Sequence, residues 1–449
     1  MSHPLFGIAL VIATLLALMA GVRWAGTRFD MHPELQRKSV HMGMGLITLG
    51  FPWIFSNTWP VVLLALLAVA GLLAMKWIRP LKTGLGGALH GVERSSLGEI
   101  YFPLAVALLF ILAGDIAVLY VVPMLVLTLA DAVAAIIGVR YGSHPYSTSE
   151  GHKSAEGSLA FFLTAFGSTL LPVLMMTDVP AGKVIIGSLV VGLLVMLFEA
   201  ISVGGLDNLF IPVGCYGLLE SYRQLDGQDL LYRLIALGLL GVFIYCWRRQ
   251  TTLKGSALLA ALLTGYMNWM VGGWPYLAVS LILLITYTRL WPQSEENRYP
   301  VHSVRAIAAV AAPGIVWLLA AARSARSEFL FCFVLCYAVH SVIIGMLQLG
   351  YTSPYRDIRQ QGGRAVLRSW LVFAPAYFLP YLSRTLPDMP LAQTLIAVFT
   401  VLPLLALAAG VHLIFSPFLG QDPKGRIRWL GYGSIALFIS VAGALVYLS

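Results

Sequence analysis

Residues 127–158 read LTLADAVAAIIGVRYGSHPYSTSEGHKSAEGS, which puts one aspartate, Asp131, inside an apolar helix-like run and a short polar loop after it. An ionisable side chain at membrane depth costs at least about 2.5–3.5 kcal/mol on insertion scales, so its presence points to a working site. Asp131 and Gly138 lie seven residues apart, two helical turns on nearly one face, with Ala134 and Ala135 between them. Small residues of this kind let another backbone or a ligand approach closely. The loop then supplies His152, Lys153, Ser154, Glu156, Gly157 and Ser158. A lysine point charge, hydroxyls and the free N–H groups of a helix start can together hold phosphates. The Walker pattern GxxxxGK[ST] is absent. A capped helix start with a solvated loop also accounts for the loop residues, but it leaves Asp131 unexplained.

Three further clusters have chemistry-bearing residues. In FEAISVGGLDNLFIP (198–212), Glu199 ends one apolar run and Asp207 and Asn208 open the next. Two carboxylates and an amide oxygen are hard ligands suited to a divalent cation that also binds substrate phosphates; Asp207 or Asn208 as a helix cap is the plainer reading. In HPELQRKSVHMGMG (32–45), Arg37, Lys38 and His41 fall within one helical turn of each other and can receive an anionic headgroup or a nucleotide phosphate. They also fit ordinary topogenic charges beside an interfacial histidine. VERSSLGEIYFP (92–103) places Glu93, Arg94 and Glu99 around a turn and, taken alone, resembles any polar loop before a short helix.

The elements that position these clusters are membrane helices. Of the 449 residues, 59% are hydrophobic and only 11% charged, against about 25% charged in an ordinary soluble domain. Apolar runs recur from end to end, so the fold class is all-α, a polytopic integral membrane bundle of about 14–16 transmembrane helices. Residues 4–22 read as the first span. Further spans are expected near 39–56, 100–114, 116–139, 157–177, 183–203, 209–221 and 369–386, among others. With an external N-terminus, the loops 23–38, 76–98, 140–156, 203–208, 248–254 and 356–368 are cytoplasmic, which places most Lys and Arg, and all four clusters, on one face.

The net charge of +9 is grouped in those loops and matches anionic membrane lipids; no nucleic-acid motif accompanies it. The four cysteines have no metal-ligand spacing. Fourteen of the 20 acids fall in residues 1–250, so chemistry is expected in a first membrane domain, 1–250, and not in a second multi-helix domain, 251–449. A transporter, the reading from another class, would need polar residues at midplane on several helices, and very few are present.

RKxxHxG at 37–43, GEIYFPLA at 98–105, the Asp131/Gly138 pair, KSxEGS at 153–158 and ExxxxxGLDNLxIP at 199–212 together resemble the polyprenol kinase family, which includes phytol and dolichol kinases. The resemblance covers about residues 30–245 in family order. It implies a CTP-dependent kinase that phosphorylates the terminal hydroxyl of an isoprenoid alcohol with the help of Mg²⁺ or another divalent cation. By that likeness Asp131, Lys153, Glu156 and Asp207 form the catalytic set, and Asp131, Glu199, Asp207 and Asn208 the metal ligands. Arg37, Lys38, His41, Ser154, Gly157 and Ser158 would then hold nucleotide or headgroup, at the cytoplasmic face of a bacterial inner membrane. Two departures stand out: Ala130 precedes Asp131 where relatives have Gly, and His152 precedes Lys153 where relatives often have Gly. The family also resembles CDP-diacylglycerol synthases, which leaves a cytidylyltransferase as the alternative enzyme. TLKGSALLAALLTG (252–265) followed by GGWPYL (272–277) faintly resembles the opening of membrane proteins that phosphorylate prenyl monophosphates.

Overall fold

The structure is a computed structural model that describes residues 4–77, 97–148, 151–291, 303–324, 326–352, 357–383, 390–419 and 426–447. Glu93 and Arg94 lie outside the described residues. Almost all of what is described is helix, and ten helices are long and apolar enough to cross a membrane. Four shorter apolar helices accompany them. The chain is thus an all-α polytopic bundle, and its ten crossing helices mark a multi-pass membrane protein.

The chain divides into two compact units, Met1–Ile235 and Ala236–Ser449. In the first, α1 (Pro4–Arg28) packs on α2 (Pro33–Leu49), α3 (Trp59–Trp77) on α4 (Gly98–Ala113), and α5 (Ala117–Tyr141) on α6 (Ala155–Met176). A two-stranded antiparallel hairpin, β1 (Pro145–Thr148) and β2 (Gly151–Ser154), joins α5 to α6 in the register Pro145↔Ser154 and Tyr146↔Lys153. Then come α7 (Ala181–Ile201), α8 (Asp207–Arg223) and α9 (Gly227–Trp247), within which the division at Ile235 falls. Between α7 and α8 the chain reverses through Gly204 and Gly205, whose φ of 69° and 82° only glycine adopts without strain.

Three expectations are corrected. The helix expected across 39–56 begins earlier, at Pro33, ends at Leu49, and is followed by one turn, Phe51–Ile54. With Arg37, Lys38 and His41 on it, α2 is not among the helices apolar enough to cross by composition, and neither is α8, which carries Asp207, Glu220 and Arg223. The segment 356–368, read as a loop, is helical from Ile358, because Asp357 caps the helix by accepting from the Arg359 N–H at 3.0 Å.

The second unit contains α10 (Ser256–Gly272), α11 (Trp274–Leu290), α12 (Val304–Ser324), α13 (Glu328–Thr352), α14 (Ile358–Phe373), α15 (Leu391–Leu419) and α16 (Arg426–Tyr447). Its centre is α13, where every side chain from Leu330 to Val339 is buried, both cysteines Cys332 and Cys336 included. Apolar burial gives little net drive between helices in lipid, so hydrogen bonds across helices help to hold the bundle. Trp317 Nε1 donates to Ser440 Oγ at 2.8 Å, Ser369 Oγ to Ser341 Oγ at 2.9 Å, and Asn268 Nδ2 to Ser280 Oγ at 2.6 Å and the Tyr337 hydroxyl at 3.2 Å.

Candidate functional site

The four polar clusters meet at one end of the first unit. Lys38 on α2 forms an ion pair with Asp131 on α5, and both side chains are about one-fifth exposed. His41, one turn further along α2, lies edge-on to Phe102 of α4 with ring centroids 5.1 Å apart, and its Nε2 is buried without a hydrogen-bond partner. Lys153 on β2 reaches the end of α7, donating to Glu199 Oε1 at 2.7 Å and to the Glu199 carbonyl at 2.5 Å. Asn208 Nδ2 donates to the Gly98 carbonyl at 3.0 Å, and the Leu97 N–H donates to Gly204. Each cluster therefore touches another, although their residues are up to 110 positions apart in the chain.

Local sequence explains the placement. Asp131 follows a π-helical turn, Val126–Ala130, in which the Thr128 hydroxyl is donated to the Met124 carbonyl at 2.7 Å. Such turns re-aim the residues after them. On α2 Gly45 lies directly against Thr128, so the absence of a side chain at 45 lets α2 approach closely enough for Lys38 to meet Asp131. Gly138 and Gly157 do the same between α5 and α6: a Cβ on Gly157 would lie 3.1 Å from the Ala134 carbonyl oxygen and 3.2 Å from the Gly138 Cα. The small residues of 134–138 thus admit a backbone.

The loop residues are engaged with one another. Ser154 caps α6, its Oγ accepting from the Gly157 N–H at 3.1 Å. Ser158 Oγ and the Tyr146 hydroxyl are 2.8 Å apart, and burial pushes the Tyr146 phenol up to about 12. Glu156 accepts from Ser143 Oγ at 2.6 Å and lies 2.6 Å from His144 Nδ1, which closes the corner where α5 turns into the hairpin. Ser154, Gly157, Ser158 and Glu156 are therefore occupied in shaping the loop, while Lys153 points away from it into the carboxylate cluster.

Asp131, Glu199 and Asp207 lie close enough to act on one another's charge. Burial, followed by the negative charge of Asp131, pushes the Asp207 carboxyl above the ordinary carboxylate range, and Asp207 forms no ion pair with any described residue. Among the described residues no three His, Cys, Asp or Glu side chains converge on a metal position, and Asp131 and Glu199 are each paired with a lysine. An octahedral divalent cation that takes one or two carboxylates and completes its shell with water and phosphate oxygens still fits this donor set. The pairings Lys38–Asp131 and Lys153–Glu199, the hairpin and the π turn had no signal in the sequence beyond the polarity of the residues themselves.

Fold and site define a helical membrane protein with a charged centre built from α2, α4, α5, β2, α7 and α8. A phytol kinase from Synechocystis sp. is 28% identical over 221 residues, 48% of this chain and 91% of the relative. That partial similarity is to a polyprenol/phytol kinase-like family. No family model matches the chain, and no solved structure matches it.

Proposed function

We propose that the first unit transfers the γ-phosphoryl group of CTP to the terminal hydroxyl of an isoprenoid alcohol of the phytol, dolichol or polyprenol class. The observation that carries this reading is the cluster of Asp131, Glu199 and Asp207 with Lys38 and Lys153, in a chain similar to a phytol kinase. CTP as donor rests on the motif resemblance. The site would face the cytoplasm of a bacterial inner membrane, the side to which the basic loops assign it.

Phosphoryl transfer asks a protein to position two oxygens in line and to neutralise phosphate charge, with little covalent participation. Lys153 and Lys38 bring ammonium groups, paired with Glu199 and Asp131, to the position where nucleotide phosphates would bind. Arg37 and His41, on neighbouring faces of the same end of α2 as Lys38, orient the nucleotide or the lipid headgroup. Asp207 with Asp131, and Glu199 or Asn208 beside them, would hold Mg²⁺, which when bound offsets the charge of the phosphates. Glu156 acts one step removed, fixing the corner from which Lys153 projects. The prenol tail lies in the membrane while its hydroxyl reaches this polar end.

The test is product analysis. Purified protein is incubated with CTP, Mg²⁺ and, separately, phytol, farnesol, geranylgeraniol, undecaprenol and dolichol, and lipids are identified by mass spectrometry. A prenyl monophosphate formed by the wild type and not by Asp131→Asn supports the reading. A CDP-lipid formed from a phospholipid, with release of pyrophosphate, would replace it by the cytidylyltransferase.

A further inference from the structure

At the opposite end of the helices that carry the charged cluster, the first unit contains a cavity of about 330 Å³. It lies between the start of α5, the end of α6, the start of α7 and the end of α8. Eight to seventeen residues of helix separate its lining from Glu199 on α7 and Glu156 on α6, about 12–25 Å along the axes. It is therefore remote from the charged cluster. Its volume falls in the range of small-molecule sites, about 300–1,000 Å³. Leu119, Val173, Val184, Val191, Leu219 and Leu230 form apolar walls, and Lys183 and Arg223 line its rim.

Two polar groups in this cavity have needs that the protein leaves unmet. Serine and threonine hydroxyls in apolar helices ordinarily donate to the carbonyl one turn back, as Thr169 does to Ala165 at 2.9 Å and Thr177 to Val173 at 2.6 Å. Ser188, only 2% exposed and lining the same cavity, has no hydrogen-bond partner at all. Lys183 donates to the Arg223 carbonyl at 3.2 Å, and no carboxylate of a described residue forms an ion pair with it. Arg223 is neutralised by Glu220 at 2.8 Å, and Asp226 accepts from the Asp229 N–H. Asp115 and Asp178 adjoin the lining residues Ile116 and Val179 but form no ion pair with Lys183, so Lys183 is a cation without a carboxylate partner at the mouth, and Ser188 a hydroxyl without a partner within.

We infer that this cavity binds an ester-linked glycerophospholipid with an anionic headgroup, from the leaflet opposite the charged cluster. Lys183 and Ser188 are five residues apart on α7, about 7.5 Å along its axis. A lipid phosphate and the acyl-ester carbonyl on the adjacent glycerol carbon bridge that interval, the phosphate on the Lys183 ammonium and the carbonyl accepting from the Ser188 hydroxyl. The acyl chain then covers the apolar walls. A free phosphate ester would leave both those walls and Ser188 unused. The inference stands independently of the kinase reading.

The experiment uses the full chain in a neutral detergent and native mass spectrometry with added phosphatidylglycerol. Ester-linked phosphatidylglycerol is expected to bind saturably and several-fold more tightly than its ether-linked analogue, and much more tightly than diacylglycerol. Glycerol 3-phosphate is expected not to compete. Lys183→Gln should weaken binding about tenfold, which corresponds to one charge-assisted contact, while Lys183→Arg retains it. Ser188→Ala should erase the preference for ester over ether, and Asp131→Asn should bind as the wild type does. Equal binding of ester and ether lipid by the wild type would overturn the role of Ser188. Equal retention of diacylglycerol, displacement by glycerol 3-phosphate, or an unchanged Lys183→Gln would overturn the site.

Discussion

Lys38 and Asp131, 93 residues apart in the chain, form an ion pair that joins α2 to α5 beside the π turn. The pair gives Asp131 its place in an apolar helix: a carboxylate there needs a cation, and Lys38 brings one from the end of a neighbouring, more polar helix.

Removing one partner leaves a partly buried charge alone. Lys38→Met and Asp131→Asn should each lower stability by roughly 1–3 kcal/mol, between the values for exposed and fully buried pairs. The double variant should recover part of that loss while remaining inactive. Thermal unfolding in detergent and turnover, measured on all four proteins, check this. Additive destabilisation would show that the pair contributes nothing as a pair.

Lys153→Ala should raise the apparent KM for CTP more than that for the prenol, since the ammonium is assigned to phosphates. Because Lys153 also holds Glu199, Lys153→Arg is the informative companion, as it keeps a charge on Glu199 but changes its geometry. Steady-state kinetics with each substrate varied separately measure the split. Equal losses for both substrates would take Lys153 out of the nucleotide site.

Much of this site was legible in the sequence because charged residues are so few that each one inside or beside an apolar run stands out. Asp131, Glu199 and Asp207 were found in that way. Their partners were not, because an ion pair across 93 or 46 residues leaves no periodic trace. The hairpin 145–154 is four residues a side with Pro, Ser, Thr and Gly in it, too short and too polar for an alternating pattern. The helix Ile358–Phe373 is hidden for the opposite reason: Arg359, Gln360, Gln361, Arg364 and Arg368 give it the composition of a loop, although Gln361, Gly362, Ala365, Val366, Ser369 and Phe373 pack inward at helical spacing. Gly138, with Ala134 and Ala135, reads in the sequence as a place of close approach, but only the fold shows that the approaching group is the helix backbone at Gly157.

Acidification tests Asp207. Its carboxyl is raised by burial and by Asp131, so it takes up a proton at a higher pH than an ordinary aspartate. Protons then compete with the divalent cation earlier as pH falls, and the apparent Mg²⁺ affinity should begin to decline at a pH above the usual carboxylate range. In Asp207→Asn that part of the pH dependence should vanish, with a uniformly weakened Mg²⁺ requirement curve. Apparent KM values for Mg²⁺ between about pH 5 and pH 8 check the sign.

The loop corner can be tested by packing. Gly157→Ala sets a methyl 3.1 Å from the Ala134 carbonyl oxygen and so should separate α5 from α6, with losses in both thermal stability and turnover. Ser154→Ala removes only the cap and should cost about 1 kcal/mol. A stable Gly157→Ala with full activity would mean that the contact between the two helices does not position Lys153.

The most direct measurement follows the phosphorus. Protein is supplied with a prenol, Mg²⁺ and CTP labelled at either the γ- or the α-phosphate, and the extracted lipid is counted. The account predicts label in the lipid from γ-labelled CTP, CDP as the second product, and none from α-labelled CTP. Label arriving from the α-phosphate with pyrophosphate released, or no label from either, would contradict it.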